Sequence, residues 1–96
     1  PAGTLVGASC HDEQELDRAE KIGVDYAVVG PVKATDSHPG VPGLGWERFA
    51  ALAHDRPMPL YAIGGLTRAD LPEARRRGGH GVALLGAALA SPGGGQ

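Results

Sequence analysis

An α/β fold of four βα units with parallel strands, either half of an eight-stranded barrel or a small open sheet, is what this sequence predicts. Three observations carry that expectation. Four short apolar runs recur: "LVGASC" (5–10), "DYAVVG" (25–30), "LYAIGG" (60–65) and "GVALLG" (81–86). They are near-continuous in hydrophobicity instead of alternating, as in strands covered on both faces of a parallel sheet. Each ends in small residues, and helix-period stretches lie between them, so the order reads βαβαβαβ with room for a short final helix.

The first helix starts near Asp12, which has Glu15 three residues on, the spacing of a capping box. Leu16, Ala19 and Ile22 make its inner stripe, and Gly23 suits the left-handed position after its end. A second helix follows "GVPGLG", with Trp46, Phe49, Ala50, Leu52 and Ala53 on one side, and "RPMP" stops it. A third spans roughly 68–77, capped by Thr67 or Asp70. Pro72 favours the later start, because proline fits the first turn of a helix and not its interior. Gly78-Gly79 ends it. The domain covers 1–90, and "SPGGGQ" (91–96) reads as a flexible Gly-rich tail.

The chain has 96 residues and a net charge of -2. That is near the lower end of what holds a core unaided. With no long basic run, nucleic acid is not an expected partner. Arg75-Arg76-Arg77 reads as the solvated last turn of a helix, favoured by its dipole. A single cysteine, Cys10, excludes an internal disulfide framework and fits a cytoplasmic setting. It reads as a small buried residue. No apolar stretch approaches the ~20 residues that a membrane helix needs. The four histidines, His11, His38, His54 and His80, show no metal-cage spacing, so no metal site is expected here.

In a parallel α/β arrangement sites form in the loops at the carboxyl ends of the strands. The exit of the third run is "GGLT". Two glycines let the chain turn sharply and let N–H groups approach an anion with no Cβ in the way. A helix N-terminus aimed there favours a phosphate, and Gly86 opens a matching exit after the fourth run. The stretch "PVKATDSHPGVPG" has neither helix nor strand pattern. Loops beyond about 12 residues without structure of their own are functional or disordered. Its three prolines stiffen it, and Thr35, Ser37 and His38 equip it for binding. Lys33 could meet an anion. His11, at the mouth of the first exit, is a candidate acid/base group.

The order of these motifs resembles the thiamine phosphate synthase/TenI family, a (β/α)8 TIM barrel. The resemblance runs from Leu5 to Leu89, through "GPVKATDSHPG" and "AIGGLT" followed by "GVALLG". It implies the C-terminal half of the barrel and thiamine biosynthesis, joining thiazole phosphate to hydroxymethylpyrimidine diphosphate in the intact synthase. Gly64, Gly65, Leu85 and Gly86 are then the phosphate site, and Thr35, Ser37 and His38 the thiazole-side contacts. His11 matches the acid/base histidine of the thiazole tautomerase branch. His38 stands where lysine is common, Gly86 where many members have serine, and Lys33-Ala34 where an apolar-Pro pair is usual. The pyrimidine diphosphate and its Mg²⁺ belong to the first four strands, so no cofactor is expected in this chain. The implied partner is the missing N-terminal half-barrel or a second copy, since a half-barrel leaves two open edges. "GWERFA" and "GLTRADLPEARR" look most like the version fused to a Nudix hydrolase, in which this domain could be a non-catalytic phosphate-binding appendage.

Overall fold

Parallel pairing begins at β1 (Gly7–Cys10), continues through β2 (Tyr26–Val29) and β3 (Leu60–Ile63), and reaches β4 (Gly81–Ala83). The structure, a computed structural model, describes residues 5–33, 40, 42–84 and 89–90, the last pair as backbone. Helices α1 (Glu13–Ile22), α2 (Trp46–Ala53) and α3 (Leu71–Arg76) follow β1, β2 and β3. Where a final helix was expected, Leu89–Ala90 forms a strand, β5, antiparallel to β4, with Ala83 opposite Leu89 and Val82 opposite Ala90. The outer edge of β4 offers unpaired N–H and C=O groups, and β5 supplies them with partners.

Local signals place the helices. Asp12 caps α1 by accepting the Glu15 N–H at 2.9 Å, and Gly23 closes it at φ 85°. The reciprocal half of the expected capping box is displaced by one residue, because the Glu15 carboxylate reaches the His11 N–H. Before α3 the chain first makes a 3-10 turn, Arg68–Asp70, capped by Thr67. Thr67 therefore acts as the cap of the 3-10 turn, whereas Asp70 stands at the N-cap position of α3 without a side-chain bond to that helix. Pro72 falls in the first turn of α3.

Register explains the core. Ala8, Ala27 and Leu60 align in one row, and Cys10, Val29, Ala62 and Val82 in the next. These rows pack with Leu16 and Ala19 of α1, Phe49, Leu52 and Ala53 of α2, and Ala74 of α3. Among the described residues no charged or polar residue is buried as a whole. Phe49 is wholly buried and meets Trp46 edge-on at 5.7 Å. Burying one such ring contributes roughly 1.5–3 kcal/mol.

The opposite face departs from the expectation of strands covered on both sides. Gly7, Ser9 and Ile63 are exposed, and Tyr26, Val28 and Tyr61 are half-buried. A barrel strand acquires its second covering from side chains of strands across the interior, and the described residues hold four barrel-type strands. Three further apolar residues stay in solvent: Leu5 (71% exposed), Val6 (51%) and Ile22 (69%). Ile22 thus leaves the inner stripe assigned to it. Leu5 and Val6 precede β1 at the open edge of the sheet, where no neighbour covers them. What remains on the bare face is an aromatic row. The Tyr26 ring lies across Gly7, where a Cβ would strike it, and stands edge-on to Tyr61 at 6.1 Å. Tyr61 in turn meets His80 at 5.3 Å.

Candidate active site at the strand exits

The exits of β1, β2 and β3 are joined into one rim by main-chain hydrogen bonds. The Gly30 N–H donates to the Cys10 carbonyl at 3.3 Å, the Val32 N–H to Ile63 at 2.8 Å, and the Lys33 N–H to Gly64 at 3.1 Å. The far end of the long loop returns to the same place, with Leu44 N–H on the Pro31 carbonyl (2.7 Å) and Gly45 N–H on Val32 (2.9 Å). Such crossings need bare backbone. A Cβ on Gly30 would run into the Ile63 carbonyl, and one on Gly43 into that of Val32. The Gly30-Pro31 bond is cis.

This arrangement corrects the reason for Gly64. Its φ is 104°, and a Cβ there would lie 2.5 Å from Pro31 Cα. Gly64 is glycine because the β2 exit presses against it. The space its missing side chain leaves is filled by protein, not reserved for an anion. Gly65, at φ 67°, completes the turn. The helix-terminus argument is corrected as well. The Asp70 carboxylate accepts the Thr67 N–H at 2.9 Å, and Thr67 Oγ1 accepts the Ala69 N–H at 3.2 Å. The short 3-10 turn caps itself with a carboxylate, so its dipole is already answered. The main-chain amides of Gly65 and Leu66 are not used by these caps.

Lys33 is tied rather than free, with Nζ 3.0 Å from Asp70 Oδ1. The Thr67 N–H first, and the Lys33 ammonium second, hold the Asp70 carboxyl below the usual carboxylate range against the opposing effect of burial. The sequence did not reveal this pair, because 37 residues separate its members and nothing local marks them.

At the β1 exit, Glu15 Oε1 accepts the His11 N–H at 2.6 Å and lies 3.0 Å from His11 Nδ1. The His11 amide and then its ring hold Glu15 below its ordinary range. With Nδ1–H on the carboxylate, Nε2 is the nitrogen left to exchange a proton. Beside it the Cys10 thiol is buried, and desolvation first, then the Glu15 and Asp12 carboxylates, push its pKa up, which disfavours the thiolate. Of the other candidates, Leu85, Gly86, Thr35, Ser37 and His38 lie outside the described residues. Leu84, the last residue described before them, leaves β4 beside the β3 exit, since Ile63 pairs with Ala83. A cavity of about 530 Å³ lies at the other end of the strands, between Arg56, Pro59, Arg75 and His80. It is remote from the rim and shares none of these groups. Among the described residues there is no group of three or more His, Cys, Asp or Glu placed to hold a metal ion. Nor is any described helix long and apolar enough to cross a membrane.

The sequence profile of thiamine monophosphate synthase matches residues 1–88. The chain belongs to the thiamine monophosphate synthase family. It is 42% identical over 91 residues to thiamine-phosphate synthase of Synechococcus sp. (strain WH7803), matching 91% of this chain and 25% of that one. It is 37% identical over 90 residues to thiamine-phosphate synthase of Koribacter versatilis (strain Ellin345), covering 92% and 42%. A solved structure of thiamine phosphate pyrophosphorylase from Pyrococcus furiosus superimposes with a TM-score of 0.70 at 31% identity, over 83% of this chain and 38% of that one. The four parallel strands are thus part of a TIM-barrel-like fold. The chain spans less than half the length of these synthase-family relatives.

Proposed function

We propose that this chain forms the thiazole-phosphate side of a thiamine phosphate synthase and acts in thiamine biosynthesis. The observation that carries the reading is the single rim made by the exits of β1, β2 and β3, with the base of the long loop stitched to the Gly64-Gly65 turn. In this reading the amides of Gly65 and of the β4 exit, Leu85 and Gly86, hold the phosphate, while Thr35, Ser37 and His38 face the thiazole. Gly64 serves by bending the chain. The ring nitrogen is then presented to the carbon of hydroxymethylpyrimidine diphosphate from which diphosphate departs. The contribution of this chain is to orient the nucleophile, and positioning of that kind can supply about 7–11 kcal/mol of a barrier. Mg²⁺ and the pyrimidine diphosphate would be held by a companion set of βα units, which also covers the aromatic face and pairs with β1. The setting is cytoplasmic.

Calorimetric titration with thiazole phosphate tests the proposal. Stoichiometric binding accompanied by amide shifts at Gly65 supports it; no heat and no shift would refute it. A second reading rests on the His11–Glu15 contact. A histidine held through Nδ1 with Nε2 open suits the proton transfer of a thiazole tautomerase. His11→Asn separates the two, since tautomerisation would be lost and synthesis largely kept. The sequence upstream of Pro1 decides the third reading, a phosphate-binding appendage of a Nudix 8-oxo-dGTP diphosphatase.

A further inference from the structure

We propose that Lys33 is a positioning residue that makes the acid-capped turn after β3 tolerant of an anion, by cancelling the charge of Asp70. The inference rests on the reading of the Gly64-Gly65 turn as a phosphate site. Asp70 places a carboxylate on the Thr67 N–H, three residues from Gly64 along the turn. An ionised carboxylate there repels an incoming phosphate. Asp70 cannot simply be removed from the fold's logic, because it satisfies the Thr67 amide and completes the cap of the 3-10 turn. The compensation comes from across the rim. Lys33 Nζ stands 3.0 Å from Asp70 Oδ1, and the Lys33 N–H is bonded to the Gly64 carbonyl. Its ammonium is therefore anchored to the same turn through the main chain and through the side chain.

The Asp70 side chain is 17% exposed, so solvent screens its field less than it would that of a surface carboxylate. The role differs from that of a direct phosphate ligand. A direct ligand would be needed whether or not Asp70 is present; a compensating cation is needed only while Asp70 is charged. Asn at position 70 keeps an oxygen for the Thr67 N–H and discards the charge, which makes the distinction experimental.

The test is a titration of the 96-residue chain with inorganic phosphate, read from the amide shifts of Gly65 and Thr67, for the wild type, Lys33→Met, Asp70→Asn and the double variant. Melting curves establish that each variant is folded, with Lys33→Gln in reserve for Lys33→Met. Lys33→Met is expected to weaken phosphate binding about three- to tenfold at low salt, with the difference shrinking as salt is added. Asp70→Asn alone binds at least as well as the wild type. The double variant returns to within about twofold of it, far from the product of independent effects. If the double variant stays as weak as Lys33→Met, Lys33 contacts the anion itself and the proposal falls. It falls equally if Lys33→Met binds like the wild type. If the wild type shows no shift at all, the phosphate reading of the turn fails first and takes this inference with it.

Discussion

Gly64 shows how a residue can be identified correctly for the wrong reason. "AIGGLT" marks a turn at the end of a buried strand, and the structure has that turn. Yet the demand for glycine comes from Pro31, which is 33 residues earlier and invisible to any local pattern. Gly64→Ala is expected to destabilise the fold by about 1–3 kcal/mol, since both the positive φ and a backbone neighbour oppose the methyl group. Gly65→Ala, at a φ of 67°, is expected to cost about 1 kcal/mol from the backbone conformation. Urea unfolding of the two variants ranks them. Asp70 gives the corresponding pH effect. Its folded pKa lies below the unfolded value, so its contribution is full above about pH 4 and is lost as pH falls through the lower folded value. Asp70→Asn should therefore be less acid-sensitive than the wild type in melts taken between about pH 5 and pH 2.

At the level of elements, the start and stop signals were legible because they are local. Asp12, Gly23, Thr67 and Pro72 each act within one turn of the chain, and each is where the sequence put it. The faces were less legible. Leu16 and Ala19 turn inward, but Ile22, on the same helical stripe, stays in solvent, with none of the described residues covering it. Hydrophobic periodicity reports a tendency to be covered and cannot say who does the covering. The candidate residues and the long-range contacts divide in the same way. His11 and Gly65 are on the rim, whereas the Lys33–Asp70 contact and those of Arg56 with Asp17 and Glu20 span 36 to 39 positions and left no trace in the pattern. Arg56 links elements directly. Its side chain is 8% exposed, with Nη1 at 2.7 Å from Asp17 and 2.9 Å from Glu20 of α1 and Nε on the Leu52 carbonyl of α2. Arg56→Met leaves that carbonyl unpaired and is expected to cost about 1–3 kcal/mol, visible as a lowered melting temperature. Asp17→Asn, at a carboxylate that is 60% exposed, should cost less than about 1 kcal/mol.

For the molecule as a whole, the two sides of the sheet differ. The β4 edge is occupied by β5, while no strand among the described residues pairs with the outer edge of β1. Val6 and Cys10 point their carbonyls at β2, so the alternation of a parallel ladder turns the main chain of Gly7 and Ser9 outward. Next to them lies a shallow cavity of about 190 Å³, bounded by Ala8, Ser9, Arg18 and Ile22. If companion units dock there, Ser9→Pro should abolish the association without unfolding the chain, because the lost N–H faces away from β2. Gel filtration with light scattering, set beside a melting curve, checks both halves of that statement. An association that survives Ser9→Pro would move the interface elsewhere.

The row of rings across Gly7 has a practical consequence. Tyr26 and Tyr61 are both of the tyrosines in this sequence, and both lie on the uncovered side of the sheet, while the sole tryptophan, Trp46, packs on the helical side against Phe49. The two chromophores thus watch opposite layers. A change in tyrosine emission with tryptophan emission constant marks an event on the naked surface, and no label need be attached to see it.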